Sequence, residues 1–400
     1  MPAPRITVIG GGAVGLASAF RILERLPGAQ LTLLEKEPHV AAHQTGNNSG
    51  VMHCGLAYRP GSAKARLAVR GIRQLIAFCQ EHGIPHDVCG KLVVASREDQ
   101  VPRLQDLLER GTANGLRGLE ILGPERIREF EPHAAGVAAL RVPEEGIVDY
   151  PAVCEALARL IEARGGRVVL PAGVRRLRLR GEEWIAETGQ GEFVSDYLVA
   201  CAGLQADRVA RMAGETTEIR IVPFRGDYYR LKPEREFLVR NLIYPVADPR
   251  FPFLGVHFTR MIRGGIEAGP NAVLSLAREG YSRTAFHPRD AFEAAAFPGL
   301  WRFLARHASM CWSELRRAFS RELFCRSLQT LVPEVRPEDL VPAGAGIRAQ
   351  AMTPDGRLVE DFAFLTRRRA VHVLNAPSPA ATACLAIGEE VAAQLMKQLP

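Results

Sequence analysis

Apolar and polar positions at the start of the chain follow a strand–helix–strand pattern. The run Arg5–Ile9, "RITVI", is short, apolar and partly β-branched, which predicts a buried strand. From Ala13 to about Leu26 the apolar residues recur at helical spacing, and Pro27–Gly28 would end that helix. The run "LTLLE" predicts a second strand, which ends in Glu35.

The same α/β rhythm returns in the middle and at the end of the chain. "GIVDYPAVCEALARLIEARGGRVVL" and "DYLVACAGLQADRV" combine strands with helices, and "AVHVLNAPSPAATACLAIGEEVAAQL" predicts a strand, a turn and a last helix that "SPAAT" opens. Between these pieces, Lys64–Gln80 has the pattern of an amphipathic helix. Residues 221–269 alternate in polarity, as in an antiparallel sheet with one polar face, and residues 284–334 are mostly helical.

These interleaved patterns divide the chain into two discontinuous units. The α/β pieces occupy residues 1–80, 145–215 and 335–400, and the second unit takes residues 81–144 and 216–334. A nicotinamide dehydrogenase is usually built from two consecutive halves. The interleaving therefore favours a large mixed α/β fold of the flavin-binding kind.

Three glycines after the first strand carry the most specific local motif. Gly10 allows a tight turn, Gly12 lets the backbone approach a pyrophosphate, and Gly15 lets the helix pack on its strand. Glu35 follows at the distance where a carboxylate accepts hydrogen bonds from a ribose with a free 2′-hydroxyl. The motif predicts a dinucleotide without a 2′-phosphate, and by itself it does not separate FAD from NAD.

Composition changes this picture little. The 400 residues include 47% hydrophobic and 24% charged residues with a net charge of +7, which is typical of a globular enzyme. Apart from Arg367–Arg369 the basic residues are scattered, so we expect no nucleic-acid partner. The eight cysteines have no metal-ligand spacing and indicate free thiols in the cytoplasm. No apolar run approaches the roughly 20 residues that span a bilayer, which still allows peripheral contact with the inner membrane.

Several longer motifs resemble the L-2-hydroxyglutarate oxidase/dehydrogenase family of the FAD-dependent D-amino-acid oxidase superfamily. They are "IGGGAVGLASAF", "LLEKE", "HQTGNNSGVMHCGLAYRPGSAKA", "VPFRGDYYRL", "FPFLGVHFTRMIRGGIEAGPNAV", "AGIRAQAMTPDGRLVEDF" and "NAPSPAATACLAIG". The first two occur in many flavoproteins, and the last five are more particular. The resemblance covers nearly the full length. It implies a Rossmann-like FAD-binding domain interleaved with an antiparallel-sheet substrate domain, with the flavin ring between them.

The resemblance also implies a set of FAD contacts. The glycine motif, Glu35 and Lys36 would hold the ADP half, and the loop after residue 43 would pass the ribityl chain and pyrophosphate. Residues 378–382 would face the pyrimidine edge of the flavin with the N-terminus of the last helix. The complete predicted set is Gly10, Gly12, Ala13, Val14, Gly15, Glu35, Lys36, Gln44, Thr45, Ser49, Val174, Ala202, Gly203, Ser378, Pro379, Ala380, Ala381 and Thr382.

Substrate contacts follow from the same resemblance. Arg348, in "GIRAQ", would grip the substrate carboxylate through two parallel hydrogen bonds. A five-carbon diacid needs a second cation, and Arg225 or Arg260 would serve. Further candidates for binding and orientation are Tyr58, Tyr244 and Thr259, whereas Tyr228 and Tyr229 are interpreted as packing residues.

Oxidation of a 2-hydroxy acid requires a base for the hydroxyl proton, and histidine is the usual residue. His257, in "LGVHFT", and His53, in "GVMHCG", lie in the family-like stretches. His257 is the preferred base, with an apparent pKa of roughly 6 to 8, and His53 is the preferred contact to the substrate or flavin.

The predicted reaction is oxidation of L-2-hydroxyglutarate to 2-oxoglutarate by hydride transfer to FAD. Oxygen, with release of H₂O₂, or a membrane quinone would reoxidise the flavin, and no metal is expected. An amine or amino-acid oxidase on the same fold is the alternative reaction. A non-catalytic FAD-containing binding protein is the third possibility that the residues leave open.

Overall fold

A computed structural model describes residues 3–248 and 255–399. The strands are β1 (Arg5–Ile9), β2 (Gln30–Leu34), β3 (Val51–Met52), β4 (His86–Asp87), β5 (Lys91–Ala95), β6 (Glu120–Leu122), β7 (Ala138–Val142), β8 (Gly146–Val148), β9 (Arg167–Val169), β10 (Arg176–Arg180), β11 (Glu183–Thr188), β12 (Gly191–Ser195), β13 (Tyr197–Ala200), β14 (Arg220–Leu231), β15 (Leu242–Pro245), β16 (His257–Arg260), β17 (Ile266–Gly269), β18 (Val273–Leu274), β19 (Leu340–Met352), β20 (Ala363–Arg367) and β21 (Ala370–Asn375).

The helices alternate with these strands. They are α1 (Ala13–Arg25), α2 (Ala63–Glu81), α3 (Val101–Ala113), α4 (Pro124–Phe130), α5 (Tyr150–Ala163), α6 (Ala206–Met212), α7 (Pro288–Ala295), α8 (Pro298–Arg306), α9 (Ala308–Phe319), α10 (Arg321–Gln329) and α11 (Cys384–Met396). The bounds of α1 and α2 lie within one residue of those predicted.

The first large sheet carries the glycine motif. Its strand order is β20–β21–β13–β1–β2–β9, and all pairs are parallel except β20–β21. Helices α5 and α11 pack against α1. A Cβ on Gly388 would lie 2.6 Å from the carbonyl oxygen of Ala17, so glycine is what lets α11 approach α1 so closely. The core of this unit fixes the start of α1 at the carboxyl end of β1.

The second large sheet has the order β18–β14–β17–β16–β15–β5–β7–β6, and β19 pairs with β14 as well. Its pairs are antiparallel except the parallel pair β15–β5. The predicted polar face is wrong for β14, where residues 221–227 are all buried. The reason is that both faces of β14 pack against helices. Phe224 packs against Phe303 of α8, and Ile221 packs against Ala206 of α6.

Two smaller sheets have the orders β10–β11–β12 and β3–β8–β4. The first consists of three consecutive antiparallel strands. Strand β19 lies within the stretch assigned from the sequence to the FAD-binding unit, but it pairs along its length with β14 of the second sheet. This pairing brings Arg348 to the interface between the two large sheets. The "FPFL" part of one family-like motif, residues 251–254, lies outside the described residues.

Candidate functional site

A cavity of about 720 Å³ is lined by residues of both large sheets. Its size is within the range of roughly 300–1,000 Å³ that is usual for ligand and cofactor sites. The wall begins at the glycine motif and continues past the 43–53 loop to β14, β16 and β19. Cofactor and substrate candidates from distant parts of the sequence therefore share one space.

The glycine turn is shaped for a backbone cradle. Gly10 has a φ of +111°, which L-residues rarely adopt. A Cβ on Gly15 would lie 1.9 Å from the Gly10 carbonyl oxygen, so no side chain is tolerated there. Gly12 is the N-cap of α1 and makes no side-chain cap, which leaves the positive end of the helix towards the cavity. This arrangement suits a pyrophosphate.

Glu35 is buried beside this turn and its carboxylate is held in place. One oxygen accepts the Gly11 amide hydrogen bond at 2.6 Å, and the other accepts the Glu37 amide at 2.9 Å. Each carboxylate oxygen can accept a further hydrogen bond, so the fixed group remains able to bind a ribose.

Lys36 lines the cavity next to Glu35, at the end predicted to hold the ADP half. Its Nζ lies 2.5 Å from Glu37 Oε1, 2.8 Å from His43 Nε2 and 2.9 Å from Glu279 Oε2. The two carboxylates and the imidazole, which are groups that can bind a metal ion, therefore surround the Lys36 ammonium. The side chain ties the nucleotide end of the cavity to the segment that contains Glu279.

The remaining predicted cofactor contacts also lie on the cavity wall. They are Ala13, Val14, Gln44, Thr45, Ser49, Val174, Ala202, Gly203 and Ser378–Thr382.

The prediction that residues 378–382 open the last helix is wrong, because they form a turn and α11 begins at Cys384. A residue before proline avoids helical backbone angles, and Ser378 precedes Pro379. The Thr382 hydroxyl accepts the His53 amide at 3.1 Å and so joins the turn to the loop.

His53 lies on the wall against a buried ion pair. Its Nδ1 is 3.4 Å from Oε2 of Glu145, and Lys91 Nζ is 2.6 Å from the same oxygen. The Cys54 thiol donates to the other oxygen of Glu145 at 3.3 Å. Burial raises the pKa of Glu145, but Lys91 and His53 outweigh it and hold the pKa well below its usual range. A fixed carboxylate therefore backs the imidazole.

His257, at the start of β16, is buried on the same wall. Its Nδ1 donates to the Gly255 carbonyl at 3.0 Å, which leaves Nε2 as the acceptor. Tyr244 stacks on the ring with centroids 3.8 Å apart. Burial, followed by the positive charges of His53 and Arg348, lowers the pKa of His257 to about 3. This value lies below the predicted range of roughly 6 to 8, because burial removes the water that would stabilise the imidazolium.

Arg348 reaches the cavity from β19. Its Nη1 donates to the Asn271 carbonyl at 3.0 Å, and burial lowers the pKa of the guanidinium. Gly226 on the paired strand makes room, since a Cβ there would lie 2.5 Å from Pro270 and 3.1 Å from Arg348 Nη1. A desolvated guanidinium on a cavity wall favours an anionic ligand. Tyr228, interpreted as a packing residue, lines the cavity beside it.

The two predicted cations for a second carboxylate lie elsewhere. Arg225 pairs with Asp227 at 2.8 Å and also donates to the Ser282 carbonyl at 2.9 Å. Arg260 pairs with Asp87. Neither guanidinium belongs to the described cavity wall, because each is held by a nearby carboxylate. Among the other candidates Tyr244 lines the cavity, whereas Tyr58 and Thr259 lie behind the wall.

Comparison with known proteins agrees with this geometry. A family model described as FAD dependent oxidoreductase matches residues 5–394. The chain belongs to this FAD-dependent oxidoreductase family. It is 47% identical over 395 residues to L-2-hydroxyglutarate dehydrogenase of Indibacter alkaliphilus, covering 98% of this chain and 99% of the relative. It is 42% identical over 410 residues to the mitochondrial L-2-hydroxyglutarate dehydrogenase of Homo sapiens, covering 98% and 89%.

A solved structure extends the comparison to the fold of this FAD-dependent oxidoreductase. L-α-glycerophosphate oxidase from Mycoplasma pneumoniae, dithionite-reduced and with FAD bound, superposes with a TM-score of 0.80 at 20% identity. The match covers 99% of this chain and 95% of that chain. The predicted mixed fold and the FAD cofactor are confirmed, and the cradle at Gly10 and Gly15 has the shape that the cofactor requires.

Sequence reasoning missed three charged residues of the oxidoreductase site: Lys91, Glu145 and Lys64. Lys91 opens a strand whose five residues are all buried, so its position among apolar residues could have indicated a buried ion pair. Its partner Glu145 is far away in sequence and has no local signal. Lys64 lies on the cavity wall at the start of α2, where the helical pattern alone presents it as a surface residue.

Proposed function

We propose that this enzyme oxidises L-2-hydroxyglutarate to 2-oxoglutarate with FAD as the electron acceptor. The observation that carries the proposal is the shared cavity, in which a dinucleotide cradle continues directly to His53, His257 and the half-buried Arg348. The relatives named L-2-hydroxyglutarate dehydrogenase match over nearly their whole length, which selects this diacid among the 2-hydroxy acids.

The side chains supply binding and proton transfer. The Arg348 guanidinium binds the carboxylate next to the hydroxyl carbon, since its fork matches a carboxylate. FAD, when bound, supplies the acceptor for the hydride that leaves this carbon. His53 accepts the hydroxyl proton, because Glu145 lies behind it at 3.4 Å and stabilises the imidazolium. His257 stays neutral and orients the substrate. These roles reverse the preference drawn from the sequence.

The reaction is tested with purified holoenzyme in the absence of oxygen. We expect L-2-hydroxyglutarate to bleach the flavin absorbance and to yield 2-oxoglutarate in equal amount. Glycine, sarcosine and D-amino acids should leave the flavin oxidised. Bleaching by an amine and not by the diacid would establish the amino-acid oxidase alternative, and no bleaching by either group would favour a non-catalytic FAD protein.

The second part of the proposal concerns the electron acceptor and an exposed face of α8 and α9. We define the aromatic face as Trp301, Trp312, Leu315 and Phe319. In α9 the buried residues Met310, Glu314 and Ala318 recur on one side, and Trp312 and Phe319, on another side, are 63% and 78% exposed. Contiguous exposed apolar patches on a protein surface usually mark an interaction site.

Exposed arginines occur on the same helices and on the helix that follows them. Arg306 ends α8, Arg316 lies in α9 and Arg321 begins α10, and all three are exposed, as is Glu322, whereas Glu314 is buried. The described residues contain no helix long and apolar enough to cross a membrane. Exposed aromatic residues and arginines on the same helices instead suit the headgroup region of an anionic membrane. We therefore propose peripheral binding to the cytoplasmic side of the inner membrane, where a quinone would reoxidise the flavin, with oxygen as the alternative acceptor.

Vesicle sedimentation tests this placement. The protein should bind vesicles that contain phosphatidylglycerol and not pure phosphatidylcholine vesicles, and Trp312→Ser with Phe319→Ser should reduce binding at least about tenfold. Phe237→Ser, which removes an exposed phenyl ring elsewhere, is the control. If both proteins bind equally, or if the double variant instead converts a dimer to a monomer in sedimentation velocity, the membrane proposal is wrong.

A further inference from the structure

Three long cationic side chains line the described part of the cavity: Lys36, Lys64 and Arg348. Lys36 is held at the nucleotide end by Glu37 and Glu279. Arg348 is the predicted partner of the carboxylate next to the reacting carbon. A diacid substrate brings a second negative charge, and the arginines first considered for it are both engaged by aspartates. Lys64 is thus the cation on the wall for which no role has been described.

Lys64 has the surroundings of a ligand-binding cation. Its Nζ donates to the Glu360 carbonyl at 3.2 Å and lies 4.7 Å from the centre of the Tyr58 ring. Within the described ranges, no carboxylate oxygen lies within 4.0 Å of this ammonium. Burial lowers its pKa, and the more distant charges of Asp361 and Glu360 only partly oppose that effect. A half-buried ammonium without a close counter-ion stabilises an incoming anion strongly.

The position of Lys64 matches the substrate end and not the nucleotide end. The Tyr58 ring beside it has its hydroxyl next to Ser378, at the start of the 378–382 turn. The Thr382 hydroxyl, at the other end of that turn, accepts the His53 amide at 3.1 Å. Lys64 and His53 therefore flank the same turn. The first turn of α2 is fixed by Ser62, which accepts the Ala65 amide at 3.1 Å.

We infer that Lys64 binds the distal carboxylate of the substrate and thereby selects dicarboxylic 2-hydroxy acids. The inference rests on the proposed function and names the residue that recognises the second charge. In this arrangement Arg348 binds one carboxylate and Lys64 the other, so that a diacid spans the space between β19 and α2. A monocarboxylic acid of the same length would leave the Lys64 ammonium without its anion, which disfavours it.

The test compares two substrates and two inhibitors on holoenzyme. L-2-hydroxyglutarate is compared with L-2-hydroxypentanoate, which has the same carbon chain without the distal carboxylate. In Lys64→Met the ratio of their kcat/KM values should fall about 100-fold, as expected for loss of one charge-assisted hydrogen bond to a buried group. Binding of glutarate, measured by perturbation of the flavin spectrum, should weaken by a similar factor relative to pentanoate. Lys64→Arg should recover part of both ratios.

Arg66→Met is the matched control, because it removes the same charge from an exposed position on the same helix. It should leave both ratios at the wild-type value. Equal losses for diacid and monoacid in Lys64→Met would show an action on the cofactor or on folding and would overturn the inference, as would an unchanged ratio. The two proposals can be contradicted independently. Wild-type enzyme that does not oxidise the diacid contradicts the proposed function. The ratio of glutarate to pentanoate binding, compared between wild type and Lys64→Met, tests only the role of Lys64.

Discussion

Replacement of Glu145 by glutamine removes one negative charge from behind His53 while it keeps the shape of the side chain. In the wild type the carboxylate lies 3.4 Å from His53 Nδ1 and 2.6 Å from Lys91 Nζ. The amide cannot stabilise an imidazolium, and it leaves the Lys91 ammonium buried without its counter-ion. We therefore expect slower proton transfer to His53 and a lower folding stability.

The magnitude follows from the distances. With an effective dielectric constant of about 20, Coulomb's law gives about 5 kcal/mol between opposite charges 3.4 Å apart. The nearby Lys91 charge opposes the imidazolium and cancels part of this. We therefore expect flavin reduction to slow by about 100-fold, or about 2.7 kcal/mol. Removal of one member of a buried ion pair costs about 3–5 kcal/mol of folding stability.

The pH dependence of stability has a defined sign. Because the folded-state pKa of Glu145 is held below its unfolded value of about 4.3, the ion pair stabilises the fold above that pH. The contribution is lost as the pH falls through about 4 towards the folded-state pKa. The stability difference between wild type and Glu145→Gln should thus be largest near neutral pH and shrink in acid.

Anaerobic stopped-flow reduction and urea unfolding at pH 7 and at pH 4 measure the two effects. The control is Glu144→Gln, the same change at the neighbouring residue, whose carboxylate accepts the Arg117 amide at the surface. Wild-type reduction rates in Glu145→Gln would refute the assignment of His53 as the base supported by this carboxylate. Loss of rate in both variants would point to a nonspecific effect on the 144–145 turn.

Three further outcomes are expected. Gly15→Val should give protein with little bound FAD, measured by the ratio of flavin to protein absorbance, because a Cβ there meets the Gly10 carbonyl at 1.9 Å. Arg348→Lys should raise KM for the diacid about 10- to 100-fold in steady-state assays, since an ammonium cannot form the two parallel bonds of the guanidinium. His257→Asn should keep the wild-type form of the pH–rate profile between pH 5 and 9, because a histidine with a pKa of about 3 is neutral over that range; a flattened profile would restore it as the base.

Local patterns predicted the nucleotide end well. The strand, glycine turn and first helix depend on residues within a few positions of each other, and the structure places them within one residue of the prediction. The last helix was predicted to begin too early, at Ser378 instead of Cys384, because the small residues after Pro379 have a composition typical of helices. The prediction of a polar face on β14 was wrong for another reason, because alternation in polarity does not reveal that both faces of a strand are covered.

The charged residues around the substrate could not be placed from the sequence. Arg225 is two residues from Asp227, and only the fold shows that these side chains pair with each other instead of reaching the cavity. Glu145 contacts His53 directly and also pairs with Lys91, although both partners are far from it in the sequence. Such contacts depend on which strands become neighbours, and that is set by tertiary packing.

The two histidines show how different electrostatic surroundings can give similar side chains different roles. Both line one cavity, and the Tyr244 ring lies next to each of them. At His257 burial and the charges of His53 and Arg348 all oppose protonation, which suits a neutral donor or acceptor that orients a dianion. At His53 a buried carboxylate compensates the positive charge that a base must carry after it takes a proton. The positive charges of Lys64 and Arg348 on the cavity wall disfavour an imidazolium, so a general base needs a nearby carboxylate, and Glu145 lies 3.4 Å from His53 Nδ1.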